Sequence, residues 1–210
     1  MTEQGMFDVT THRYCSRGSR CTGLTEALGL VGLKPPVPID GRHADNFQHA
    51  GERGTAIHAM RHISDIGERD KYDFDPNLIG YLDAWDAFKR DYQYSPDWSE
   101  KFLVHNVYRF GCIPDSAGPS RLGYMVAEAK SRDLLDEDRL QVEGQAIALT
   151  DIAGKKIDAR YLVRLFPDGR YHAHDCRKGI GKGYTIPHTQ LRQTILQIIS
   201  IANLRIAREG

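Results

Sequence analysis

The run Tyr124-Met125-Val126-Ala127-Glu128-Ala129-Lys130 decides how this chain is read. As a β-strand it alternates with period 2, so Tyr124, Val126, Glu128 and Lys130 face one way and Met125, Ala127 and Ala129 the other. An acid and a base therefore stand side by side at its end. Just upstream, Phe102 to Phe110 is a second strand-like run, closed by Gly111-Cys112-Ile113-Pro114-Asp115. Ser116 to Arg121, with Gly118 and Pro119, has turn composition, so the spacing predicts a hairpin of 102–110 against 124–130. Such pairing would bring Asp115 beside Glu128 and Lys130.

Two carboxylates and a lysine at a sheet edge suit the binding of a hard divalent cation with a water activated beside it. Mg²⁺ takes oxygen ligands, keeps several waters and needs few groups from the protein. The lysine would orient or deprotonate that water, or stabilise charge on a phosphate.

These residues resemble the signature of the PD-(D/E)XK nucleases, in their RecB-like, phage-exonuclease branch: Pro114-Asp115, twelve residues, then Glu128-Ala129-Lys130. Arg53-Gly54-Thr55-Ala56-Ile57-His58 is similar to that branch's helical histidine motif, and Gly111 stands where the branch has a glycine before its aspartate. Gln141 follows Lys130 by eleven residues, where the branch carries a glutamine-containing helix, and Gln145 occupies the place of the usual tyrosine. The match covers residues 51–150 in the expected order. It implies an α/β fold, a mixed central sheet of four or five strands flanked by helices in a restriction-endonuclease-like core. It also implies Mg²⁺ or Mn²⁺ held by His58, Asp115, Glu128 and the Ala129 carbonyl, with Asp115, Glu128, Lys130 and Gln141 as catalytic residues. Glu100 and Gln145 are further candidates, Glu100 being equally readable as an exposed strand residue. The implied activity is hydrolysis of DNA phosphodiester bonds, single- or double-stranded, by an exonuclease of recombination, repair or phage DNA processing. A second copy of the chain or a recombination protein would be its partner.

At 210 residues the chain has the size of one domain, with residues 1–45 as an N-terminal arm and 46–210 as the core. Charged residues make up 27% and mean hydropathy is −0.49, as in a soluble globular chain. No apolar run approaches the ~20 residues that span a bilayer. Met1 to Asp8 has neither a basic nor an apolar leader region, so a cytoplasmic location away from membranes is expected. Lys plus Arg and Asp plus Glu balance at 28 each, which counts against a module that binds nucleic acid by charge alone. Cys15, Cys21, Cys112 and Cys176 contain no C-x-x-C pair and read as free thiols.

Arg13, Arg17 and Arg20 make the arm basic, either a solvated surface or a flap for a phosphate; Thr22 to Leu33 predicts a short helix, broken at Lys34 to Pro38. From Asn46 a helix is expected with Ala56, Met60 and Ile63 toward a core. His58 and His62 on it are four apart, which also admits a zinc site completed by cysteines. Asp75-Pro76 opens another helix, striped by Leu78, Leu82, Trp85 and Phe88. Leu134 to Thr150 predicts a helix placing Gln141 and Gln145 on successive turns. Ile157–Phe166 and Arg170–Asp175 form a hairpin around Pro167-Asp168-Gly169, and Pro187–Arg208 a closing helix with Leu191, Ile195, Ile198, Ala202 and Leu204 inward. Arg53, Arg177, Lys178 and Lys182 are the candidates for contacting nucleic acid, although the glycine-rich 178–183 lacks phosphate-loop spacing and reads equally as a plain loop. The rival function is an inactive binding or interaction protein of the same fold.

Overall fold

The structure, a computed structural model, describes residues 5–11, 13–33, 41–180 and 185–209. Two five-stranded mixed sheets, flanked by helices, make an α/β fold. The strands are β1 (Met6–Asp8), β2 (Arg13–Ser16), β3 (Ser19–Gly23), β4 (Trp98–Ser99), β5 (Leu103–His105), β6 (Phe110–Cys112), β7 (Ser116–Ser120), β8 (Gly123–Lys130), β9 (Ala159–Leu165) and β10 (Tyr171–Asp175). The helices are α1 (Leu24–Leu30), α2 (Gly41–Asp65), α3 (Ile79–Tyr92), α4 (Asp136–Asp151) and α5 (His188–Glu209). One sheet runs β10-β9-β8-β7-β4 and the other β1-β2-β3-β6-β5.

In the first sheet β8 lies parallel to β9, and the other neighbours are antiparallel. The alternation of β8 divides the core as its sequence requires. Val126 and Leu162 pack under Leu140, Ala146 and Leu149 of α4 and Ile195 and Ile199 of α5. Met125, Ala127 and Ala129 join Val163 and Leu165 against Trp85 and Phe88 of α3 and Ile57 of α2. Each of the Val, Leu, Ile, Met and Phe side chains among these, fully buried, contributes about 1.5–3 kcal/mol relative to exposure, so the sheet is held from both faces. α4 is buried around most of its circumference, which leaves its polar side chains Arg139, Gln141, Glu143 and Gln145 no water to use. They are bonded instead to protein groups, among them Arg160 for Glu143 and the Cys176 carbonyl for Arg139.

Several expectations are corrected. Ser116–Ser120 is not a turn but β7, the strand that pairs with β8; the turn is the shorter Arg121-Leu122, and Gly123 takes a left-handed φ of 91° to close it. The 102–110 run folds back on itself, β5 pairing with β6 in the other sheet. Residues 1–45 are not merely an arm: β1, β2 and β3 are three of the five strands of the second sheet, and α1 buries Leu24, Ala27 and Leu28 in the main core. The predicted break at Lys34 to Pro38 lies outside the described residues. Asp75 does not cap α3; it caps a turn, accepting from the Asn77 N–H, and α3 begins at Ile79. On α5, Leu204 is 63% exposed, while Ile199 and Ile206 are inward. On α2 the inward stripe is Ile57, Met60, Arg61 and Ser64, with Ala56 and Ile63 only half-buried. Among the described residues no helix is long and apolar enough to cross a membrane.

Candidate metal centre

Asp115 ends the link from β6 to β7, where the backbone turns into the sheet. Its Oδ2 accepts a 2.9 Å hydrogen bond from the Ala129 N–H, which ties it to β8 one residue from both Glu128 and Lys130. The expected meeting of Asp115 with the Glu128–Lys130 pair is therefore present, although β7 rather than the 102–110 run delivers it. α2 supplies His58 from the opposite side. Its Nδ1 stands 3.3 Å from Asp115 Oδ1 and 3.6 Å from Glu100 Oε1. Glu100 follows β4 with φ of 50°, a left-handed conformation that costs a non-glycine residue energy and is held by its N–H donating to the Pro114 carbonyl.

One donor atom from each of His58, Glu100 and Asp115 lies within 4.8 Å of the other two. Glu128, the expected second carboxylate, is outside this closest triple. It is 1% exposed: Oε1 accepts from Lys130 Nζ and Gln141 Nε2, both at 2.6 Å, and Oε2 accepts from Gln145 Nε2 at 2.6 Å, one bond fewer than Oε1. Gln141 and Gln145, one helical turn apart on α4, thus grip the same carboxylate. The amide that stands in place of a tyrosine has a defined partner.

The charges explain the titration. The Asp115 charge, against the effect of burial and with hydrogen bonds that the imidazole donates to the Asp115 and Glu100 carboxylates, lifts His58 up to about 10. Burial would raise Asp115, but His58 and Arg61 beside it hold its carboxyl well below the usual carboxylate range. Glu128 is pushed up, first by burial and then by the Asp115 charge. Lys130, which burial alone would lower, is raised by Glu128 and Asp115. A proton on His58 therefore sits between two carboxylates, in the position a cation would take. Two carboxylate oxygens and an imidazole nitrogen form a mixed set that fits Mn²⁺ and, with water completing the shell, Mg²⁺.

Sequence reading missed Arg61. It is 1% exposed, pairs with Asp65 at 2.8 Å and with Glu100, and lies over the Trp85 ring, 5.3 Å from its centroid. The available signal was a charged residue at the fourth position after Ile57, on the face that turns inward. His62 is engaged elsewhere, with Ser99 Oγ at 2.9 Å, and among the described residues no metal-competent cluster contains His62 or a cysteine. The zinc reading thus has no built site there.

Arg53 lines a cavity of about 180 Å³ with His58, Ala129, Lys130 and Arg132. Arg177 is drawn onto Asp175, and Lys178 is exposed, its carbonyl 2.9 Å from His174 Nε2. Lys182 lies outside the described residues. No protein-family model matches the chain, and no curated protein matches it in sequence.

Proposed function

We propose that the protein is a divalent-metal-dependent nuclease with a restriction-endonuclease-like core, hydrolysing DNA phosphodiester bonds, and that it works as an exonuclease in recombination, repair or phage DNA processing. The observation that carries this reading is the convergence of His58, Glu100 and Asp115 within ligand range of one another, beside a buried Glu128–Lys130 pair. In this reading His58, Glu100 and Asp115, with Glu128 and the Ala129 carbonyl, hold Mg²⁺ or Mn²⁺. Such a cation, when bound, stabilises charge on the phosphate and lowers the pKa of water.

The chain's own groups do the rest. Lys130 is an ammonium and so donates only: it polarises the attacking water and meets the negative charge that grows in the transition state. Gln141 and Gln145 fix the Glu128 carboxylate without adding charge. Arg53, in the same cavity as His58 and Lys130, takes a non-bridging phosphate oxygen. Arg61 neutralises Glu100 on the side away from the substrate and keeps the acidic cluster assembled before a cation arrives.

The test is a panel of labelled linear, circular, single-stranded and duplex DNA incubated with Mg²⁺, Mn²⁺ or EDTA. Cleavage with either metal and none in EDTA is expected, with circular DNA resistant. DNA intact under every condition favours the rival, a binding protein of this fold without the chemistry.

A further inference from the structure

Strand register extends the catalytic face beyond α4. Lys130 on β8 is paired with Arg164 on β9, and Arg164 with His172 on β10; one step back, Glu128 is paired with Leu162 and Leu162 with His174. Directly paired residues point to the same face, so these six positions form a grid of two rows over three strands. Leu162 is sealed in the core, whereas Arg164, His172 and His174 border an open groove of about 840 Å³ that also includes Phe166 and Tyr171. Two interstrand spacings put His172 about 10 Å from Lys130, so the groove starts beside the cleavage site.

We propose that this groove over β9 and β10 carries an extended single-stranded nucleic acid leading from the metal centre; the inference rests on the nuclease reading. The Arg164 guanidinium lies over the Phe166 ring, 4.6 Å from its centroid, which joins a cation to an aromatic face at the groove wall. That combination suits a phosphodiester backbone with bases stacked beside it, independent of sequence. Arg164 pairs with Asp133, but Asp133 is 80% exposed, and an ion pair in water is weak enough for a phosphate to displace it. Arg170, on the same groove, adds a second cation; it pairs with Asp168 at 2.6 Å, both side chains being well exposed, so this contact too can yield to a phosphate. The grid holds two cations side by side, Lys130 and Arg164, which matches a single backbone rather than the two of a duplex.

The test compares wild type with the double variant Arg164→Ala/His172→Ala, using fluorescence anisotropy of a labelled oligothymidine and of a duplex, both in EDTA so that no strand is cut. Cleavage of a two-nucleotide substrate with Mn²⁺ is followed in parallel. The expected result is a loss of about tenfold or more in affinity for the single strand, a shallower salt dependence, and unchanged cleavage of the short substrate. Unchanged single-strand affinity in the variant, or tighter wild-type binding of duplex, overturns the proposal. Because the double variant could lose its fold, photo-crosslinking of wild type to a 4-thiothymidine strand gives a second readout. Adducts on the segment 159–175 are expected, and adducts confined to other segments refute the groove. Failure of wild type to cleave any substrate defeats the nuclease reading alone, since anisotropy and crosslinking still decide the groove.

Discussion

Glu128 is the side chain on which the proposed reaction leans most. It is buried, accepts hydrogen bonds from an ammonium and two amides, and has its carboxyl pushed up by burial and by the Asp115 charge. The ionised form is therefore kept at a cost, as expected of a group poised to meet a cation. Glu128→Gln keeps the shape and removes the charge. We expect it to lower cleavage by at least about 10²-fold while keeping the circular dichroism spectrum, with a lower metal-free thermal midpoint because the new NH2 meets a donor and Lys130 loses its counter-charge; full activity would remove Glu128 from the mechanism. At this scale much was legible. The spacing from Asp115 to Glu128 and Lys130, and the two glutamines a turn apart, are positions along the chain, and the fold brought all five together. Arg61 was not legible, because its value lies in partners 39 residues away at Glu100 and on the neighbouring helix at Trp85. Lys130 and Arg164 likewise become neighbours only through a parallel pairing that no local pattern specifies.

Among elements, β6 and α4 set the positions of the centre. Gly111, read in the sequence as a motif glycine, has a packing reason here: a Cβ at that position would lie 1.9 Å from the Tyr14 ring, which covers it. Gly111→Ala should therefore force β6 and β2 apart and cost about 1–3 kcal/mol, seen as a lower urea midpoint; an unchanged midpoint would show that Tyr14 moves freely. α4 starts at Asp136, which accepts from the Ile180 and Ile186 N–H groups and from Arg139. Burial would raise Asp136, but the Ile186 N–H, Arg139 and the Ile180 N–H hold it below its ordinary 3.8. A depressed carboxyl stabilises the fold above its unfolded pKa and loses that contribution as pH falls through the folded value. The thermal midpoint of Asp136→Asn should thus lie below wild type at neutral pH and converge with it as pH falls below the ordinary 3.8 and through the lower folded value. A gap that stays constant would deny Asp136 this part. The strands were harder to read than the helices. β7 carries Gly118 and Pro119, residues of turns, yet it is a strand because Gly118 packs directly under the Ser95 carbonyl and Asp97 donates its N–H to Ala117.

For the whole molecule, the two sheets and five α-helices of the described residues bring α2, the β4 exit, the β7 entry and β8 to one point. The N-terminal fifth was underestimated in sequence because its strands are three to five residues long and gain their apolar partners only across the second sheet. A cation that binds only the folded form should stabilise the whole chain. At a hundred times its dissociation constant the gain is about 2.7 kcal/mol, or roughly 5–10 °C for a chain of this length. A thermal midpoint indifferent to Mg²⁺ and Mn²⁺ would count against the centre. The most direct measurement is anomalous scattering from a crystal grown or soaked with Mn²⁺. One strong peak is expected between His58 Nδ1, Asp115 Oδ1 and the Glu100 carboxylate, next to Glu128, and it should disappear in Asp115→Asn. A map with no peak there, or with Mn²⁺ bound elsewhere while the variant keeps it, would contradict the account.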